Sequence, residues 1–302
     1  LQNKTFGTVM INEFLQYIQY EKNYSSHTVL SYHNDMKQFC AFLQTDENSF
    51  QPNSVEAQQI QQWAMTLISE GKSARSVSRK ISTLKSYWHF LRQRGYCTKN
   101  PTSKIILPKT NKPLPAFFKQ KEMENALDES FLASDFEAQR DHLILEIFYL
   151  TGIRLSELIG IKDADFDLNE GTLRVTGKRN KQRIIPVSPD LCRKVELYIR
   201  LRNEEVDFRE DYLLLRLNGQ KLYPKKVYNM VHQTMSQIST INKRSPHVLR
   251  HSFATSLLNE GADINAVKEL LGHSSLAATQ VYTHTSFDEL YNIYKQAHPR
   301  GE

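Results

Sequence analysis

Cysteine is scarce: there are three in 302 residues, Cys40, Cys97 and Cys192, scattered along the chain. An odd, scattered set argues against a disulfide framework or a cysteine metal site, and suits a reducing, cytoplasmic setting. No apolar run reaches the ~18 residues that a membrane span needs, so no membrane partner is expected. The opening "LQNKTFGTVM" lacks the basic-then-apolar pattern of a secretion signal. It begins at Leu1 rather than at a methionine, which points to a trimmed natural start. Internal repeats and low-complexity tracts are also missing. What remains, 40 % hydrophobic and 24 % charged, is an ordinary soluble globular composition, long enough for two domains.

Acidic residues are absent from two stretches. Gly71–Lys104 carries nine Lys and Arg (Lys72, Arg75, Arg79, Lys80, Lys85, Arg92, Arg94, Lys99, Lys104) and no acid. Gly171–Ile185 carries five (Arg174, Lys178, Arg179, Lys181, Arg183), again with no acid. A net charge of +6 says little alone. Two acid-free stretches on different elements favour a polyanion partner over a pair of solvated faces.

Periodicity divides the chain. "TVMINEFLQYIQYEKN" has a helical stripe at Val9, Ile11, Phe14, Leu15 and Ile18. Ser25 and Ser26 suit the cap of a second helix carrying Val29, Tyr32, Met36 and Phe39 on one face. A third helix is expected over Glu56–Glu70, stopping at Gly71, and a fourth over Ala74–Arg94, stopping at Gly95. Residues 1–107 therefore read as a small all-helical domain. "LPKTNKPLPAFF" follows, with Pro108, Pro113 and Pro115, and reads as an extended linker over 108–116 rather than a surface loop. Residues 117–302 are mixed. Helices are expected at Gln120–Asp128 and Glu137–Thr151, then a short one in "GIRLSELIGI". A three-stranded meander follows, with turns at Asn169–Gly171 and Gly177–Gln182, and helices return from Pro189. The fold class expected is mainly α with a small antiparallel β-sheet.

Chemistry gathers near the C-terminus, in "HVLRHSFATSLLNEGADINAVKELLGHSSLAATQVYTH", His247–His284. His247 and Arg250 are three apart, on one side of a helical first turn. Ile264–Leu271 reads as a second helix ending at Gly272, with His273 directly after it. Taken singly, each residue has a plain reading: a tyrosine packs, and a histidine after a glycine caps a helix. His247 and His251 also have the spacing of a zinc pair, but position 248 is valine where the zinc-protease pattern needs glutamate.

Together the pieces are more specific. "TGIRLSEL" holds Arg154, "VTGKRNKQRIIPV" Lys178, "HVLRH" His247 and Arg250, "LGHSS" His273, and "TQVYTH" Tyr282. In order and spacing these resemble the tyrosine recombinase (phage-integrase-like) family, closest to its Xer-type members. The N-terminal "YSSHTVLSYHNDMKQFCAFL" and "ISTLKSYWHFLRQRGYCTKNPTSKIILPK" resemble that family's core-binding domain and linker. The resemblance implies a two-domain clamp, a helical core-binding domain plus an α+β catalytic domain. It also implies site-specific exchange of DNA strands without a cofactor or metal. Tyr282 would attack the scissile phosphate, leaving a 3′-phosphotyrosyl link and a free 5′-hydroxyl, and two exchanges would pass through a Holliday junction. Arg154 and Arg250, with His273 and His247, would hold the transition-state charge. His247 is the candidate base and Lys178 the candidate acid. Glu157 would orient Arg154 or His247, or form a plain helix-surface pair. Arg75, Arg79, Lys80 and Lys85, and Arg179, Lys181 and Arg183, would hold DNA backbone.

The partners implied are duplex recombination sites and three further protomers, identical or from a paralogous recombinase. The amphipathic segment with Phe287, Leu290, Ile293 and Tyr294 would dock into a neighbour. Chromosome-dimer resolution, a phase-variation invertase and a mobile-element integrase all fit. The alternatives from other classes are a catalytically silent architectural DNA-binding protein, a zinc hydrolase and a relaxing topoisomerase.

Overall fold

The computed structural model describes residues 6–106, 116–128, 135–177, 180–207 and 210–272, with side chains from Val9 onward. The chain divides into two compact units, Leu1–Pro113 and Leu114–Glu302. All of the expected linker except Ala116 lies outside the described residues.

The first unit is helical: α1 (Phe6–Gln16), α2 (Ser26–Phe42), α3 (Ala57–Ser69) and α4 (Ala74–Gln93). α2 and α4 begin where a serine side chain can take an orphan backbone N–H. The Ser25 hydroxyl accepts from the Thr28 amide at 3.3 Å, and Ser73 from Ser76 at 3.2 Å. One departure from the expected pattern lies at Tyr17–Glu21, where α1 gives way to a π-helical turn. The core is aromatic. Phe14, Phe39, Trp63, Tyr87, Trp88 and Phe90 are buried, and the Phe39 and Trp63 rings lie 5.0 Å apart.

α4 carries the first basic stretch, and its inner face is Val77, Ile81, Leu84, Trp88 and Leu91, all fully buried. Lys80 lies three residues after Val77 and four before Leu84, so the helical period turns it inward as well. Its ammonium donates to Asp35 Oδ1 at 2.8 Å and to Gln38 Oε1 at 2.6 Å. Asp35 of α2 is 1 % exposed. It also accepts both Nη groups of Arg79, Nη2 at 2.8 Å, and the Thr83 hydroxyl at 2.8 Å. A buried carboxylate needs such partners. Lys80, one of the residues expected at DNA, is thus buried and clasps α4 to α2.

The second unit opens with α5 (Gln120–Asp128) and is built around α6 (Phe136–Thr151). That helix buries residues on every side, Phe136, Leu143, Ile144, Ile147 and Phe148 among them, so it must be covered all round. α8 (Pro189–Glu205) and α10 (Pro246–Asn259) pack along it. α7 (Leu155–Gly160) and the sheet follow α6. The sheet is antiparallel, in the order β1 (Phe166–Asp167), β2 (Thr172–Thr176), β3 (Gln182–Pro186). Pairing Leu173 with Ile185 and Val175 with Arg183 sets its register. α9 (Pro224–Ile238) and α11 (Ile264–Leu271) complete the described helices. Among those helices none is long and apolar enough to cross a membrane.

Candidate active site

The site starts at a reversal. α6 ends on Gly152, whose φ of +59° is the left-handed conformation that glycine adopts most freely. Space closes the position too: a Cβ there would lie 2.3 Å from Phe253 Cδ1 and 3.0 Å from Leu271 Cδ2. After this turn Arg154 sits at the N-cap of α7, with its side chain one-third exposed. Glu157, one turn on, reaches back to accept the Arg154 backbone N–H at 2.8 Å, half of a capping box.

Glu157 is 4 % exposed, which corrects the surface-pair alternative. Its Oε1 accepts Arg154 Nη1 at 2.7 Å and Arg183 Nη1 at 3.0 Å, and its Oε2 accepts Arg183 Nη2 at 2.9 Å. The two strongest influences on its pKa oppose each other. Burial pushes the carboxyl up. The Arg183 hydrogen bonds, the Arg154 amide, the Arg183 charge and the Arg154 side-chain hydrogen bond outweigh it, and hold Glu157 below the usual carboxylate range.

Arg250 stands on α10 and is 7 % exposed. Its Nη1 donates to the Gly152 carbonyl and its Nη2 to the Leu271 carbonyl at 2.6 Å. Burial, and then the charges of Arg154 and Arg183, push its pKa down to about 10. Three guanidiniums thus crowd around one carboxylate, and the cluster carries a net charge of +2.

His247 lies in the first turn of α10 and is exposed, whereas Arg250 one turn later points into the fold. Lys178, Arg179, His273 and Tyr282, and the helix expected around Phe287–Tyr294, lie outside the described residues. Their described neighbours do reach the site. A Cβ on Gly177 would come 3.1 Å from Glu157 Oε1 and 3.9 Å from Arg154 Nη1, and the Gly272 carbonyl accepts Arg154 Nη2 at 3.0 Å. The residues before Lys178 and before His273 therefore border the same carboxylate and guanidinium.

The backbone-binding expectations divide. Arg75 and Lys181 are exposed. Arg79 is half-exposed and paired with Asp35, and Lys85 donates to the Ile105 carbonyl at 3.2 Å. Arg183 is turned inward: both its Nη groups are on Glu157, its Nε is on the Leu270 carbonyl at 2.8 Å, and its side chain is 15 % exposed. Strand parity was the available signal, because Arg183 shares the inward face with buried Ile185, two residues on. Among the described residues no three His, Cys, Asp or Glu side chains gather where a metal could bind.

Residues 116–289 match the phage integrase family, and residues 11–95 match the phage integrase N-terminal SAM-like domain. A tyrosine recombinase XerC of Staphylococcus carnosus is 39 % identical, the alignment covering 96 % of this chain and 97 % of that protein. A XerC of Oceanobacillus iheyensis is 38 % identical, with 96 % of each chain covered. Among solved structures, the Tn1549 transposon integrase in complex with a circular intermediate DNA superposes with a TM-score of 0.71 at 21 % identity, covering 93 % of this chain and 96 % of that one. A lambda integrase tetramer bound to a Holliday junction gives 0.66 at 17 % identity, covering 88 % and 74 %. These two likenesses concern the fold. The chain belongs to the phage integrase family, as a site-specific tyrosine recombinase of the Xer type.

Proposed function

We propose that the chain cuts and rejoins duplex DNA through Tyr282. The phenol oxygen attacks the scissile phosphorus, the bond to the 5′-oxygen breaks, and a 3′-phosphotyrosyl ester forms. His247 takes the phenol proton and Lys178 supplies one to the departing 5′-oxygen. The 5′-hydroxyl of a partner strand then attacks the ester and tyrosine leaves with a proton. The number of phosphodiester-type bonds is unchanged throughout, so the exchange needs no energy-rich cofactor.

The observation that supports this most is the uncompensated cation cluster. Arg154 and Arg183 share the Glu157 carboxylate, and Arg250 feels both of their charges and is buried enough for its proton affinity to fall. A pentacoordinate phosphate at Arg154 and Arg250 supplies the missing negative charge, and gains more as its own charge grows. A guanidinium has five N–H donors. Arg154 and Arg250 each spend only two of their Nη donors on the described groups. Fixed guanidinium charge takes the place that a divalent ion holds in other phosphoryl-transfer enzymes. His273 adds a further donor in this reading. Arg75, Arg179 and Lys181 hold the backbone, with Arg79 and Lys85 beside them.

By the same reading the working assembly is four protomers on two sites, identical or mixed with a paralogous recombinase. The segment around Phe287–Tyr294 passes between protomers. In this reading the role is resolution of chromosome dimers rather than inversion or integration; relatives named tyrosine recombinase XerC, at 39 % and 38 % identity, support the Xer type. Three buried, unpaired thiols suit a reducing cytoplasm.

The test is covalent trapping. Purified protein is incubated with fragmented host DNA, and the trapped site is rebuilt as a nicked duplex that loses the freed strand. The parent should form an adduct stable to detergent, in EDTA as well as without it, and Tyr282→Phe should form none. An adduct formed by Tyr282→Phe, or loss of the parent's adduct in EDTA, would refute the proposal.

A further inference from the structure

Three arginines from three elements end on three consecutive carbonyls. Arg183 of β3 donates to Leu270 O at 2.8 Å, Arg250 of α10 to Leu271 O at 2.6 Å, and Arg154 at the start of α7 to Gly272 O at 3.0 Å. These belong to the last turn and C-cap of α11, whose final carbonyls have no partner within the helix. The negative end of the helix dipole adds to the attraction. Arg154 and Arg250 each have a place in the reaction proposed above. Arg183 has none so far, yet like Arg154 it joins Glu157 to the end of α11, and it does so with both Nη groups on the carboxylate and Nε on Leu270.

Its contacts leave it little freedom. Both Nη groups fork onto the two Glu157 oxygens at 3.0 and 2.9 Å, a geometry that only a guanidinium can match. Gly272 lies against the other side of the fork. A Cβ on Gly272 would come 3.1 Å from Arg183 Nη1, 3.2 Å from its Cδ and 3.4 Å from its Cζ, and the residue has a φ of +62°. The turn leading into His273 is thus seated on the Arg183 side chain, and Glu157, on the far side, holds Arg154 by backbone and side chain.

We propose that Arg183 is a positioning residue: by bracing Glu157 and the last turn of α11 together, it sets Arg154 and the chain entering His273 in register for the strand-transfer reaction, without touching DNA. This rests on the recombinase reading. Its distinguishing consequence is a split between binding and chemistry. A lost backbone contact makes DNA affinity less salt-dependent by a slope of about 0.9. A positioning residue leaves that slope alone and slows the chemical step, where a displacement of about 1 Å can cost on the order of a hundredfold.

The experiment compares Arg183→Gln and Arg183→Lys with the parent on the nicked duplex recovered by trapping. Dissociation constants at several salt concentrations and single-turnover cleavage at saturating protein are measured. Expected for Gln is an unchanged salt slope, affinity within about twofold, and cleavage slowed on the order of a hundredfold. Lysine keeps the charge but not the fork, and should also lose at least tenfold. If the glutamine variant does not fold, the lysine variant carries the same comparison. Adding Glu157→Gln should cost little more than the worse single variant, because both remove one brace. Hydrogen exchange across 264–272 is followed in the same proteins, and should quicken when Arg183 is changed.

A shallower salt slope with cleavage intact would overturn the inference and return Arg183 to the DNA backbone. Cleavage losses that multiply with Glu157→Gln would overturn it too. If the parent cuts no DNA at all, the recombinase reading fails, and the exchange measurement still judges the brace: unchanged exchange at the end of α11 shows that Arg183 holds nothing there.

Discussion

Replacing Glu157 by glutamine keeps the shape of the side chain and removes only its charge and one acceptor. The carboxylate accepts four hydrogen bonds, two at each oxygen. Whichever way the amide turns, its NH2 faces two donors, so two bonds are lost and the donors are left opposed. Hydrogen bonds to charged groups are each worth about 1.5–3 kcal/mol, which gives roughly 3–6 for two. Removing one partner of a buried ion pair costs about 3–5 kcal/mol. Arg154 is one-third exposed and its share is screened by water, so the lower end, about 3 kcal/mol, is the expected loss.

Urea unfolding measures this, and the tryptophans make the assay selective. Both of them, Trp63 and Trp88, lie in the N-terminal unit. Their emission reports that unit and serves as an internal control, while the second unit is followed by amide exchange. With a slope of about 2 kcal/mol per molar, the midpoint of the second unit should fall by roughly 1.5 M at pH 7, with the tryptophan transition unmoved. The pH dependence has a definite sign. Glu157 titrates lower in the folded chain than in the unfolded one. Its charge-linked contribution is therefore complete above the unfolded carboxyl pKa of about 4.3, and is lost as pH falls through the folded value. The gap between parent and variant should be flat at neutral pH and narrow below about 4.3. A midpoint shift under about 0.3 M, less than ~0.6 kcal/mol at that slope, or a gap that widens in acid, would refute the account of Glu157 as the charge that holds the arginines together.

Three further outcomes follow from individual contacts. Gly152→Ala places a Cβ on Phe253 in a left-handed conformation; thermal unfolding should show a loss of about 2–4 kcal/mol from strain and overpacking, and cleavage should slow because the Arg250 acceptor moves. Asp35→Asn strips the charge from a buried carboxylate that holds Arg79 and Lys80; tryptophan-monitored unfolding should fall by about 3 kcal/mol, with the catalytic unit unaffected. Tyr87→Phe goes the other way. The Tyr87 hydroxyl is buried with no hydrogen-bond partner among the described residues, so its removal should stabilise the first unit by about 1 kcal/mol, read as a higher urea midpoint.

Much of the scaffold was legible because its signals are local. The helix expected over Ala74–Arg94 is observed over Ala74–Gln93, since Ser73 caps one end and Gly95 closes the other with a φ of +75°. Ile264–Leu271 is observed as read, between the Asp263 cap and Gly272. Pairing of the three strands follows the expected meander. The π turn at Tyr17–Glu21 carries no comparable mark. Buried Tyr17 and Ile18 continue the α stripe, so periodicity does not distinguish the wider turn.

The two inward-turned cations share one feature. Lys80 and Arg183 were grouped with their basic neighbours because a charge count along the sequence has no sense of direction. Each lies on the apolar face of its own element, Lys80 in line with Val77 and Leu84, and Arg183 in line with Ile185. A cation at such a position is costly unless a carboxylate meets it, and each has one: Asp35, 45 residues from Lys80, and Glu157, 26 residues from Arg183. Periodicity could have shown that these two cations turn inward, but not which acid receives them, because that depends on how distant elements pack. Arg154 shares Glu157 with Arg183, and the Arg250 guanidinium donates to the carbonyls of Gly152 and Leu271. Inward cations met by a carboxylate therefore hold the fold, and the surplus positive charge around Glu157 marks the place where an anionic substrate is expected.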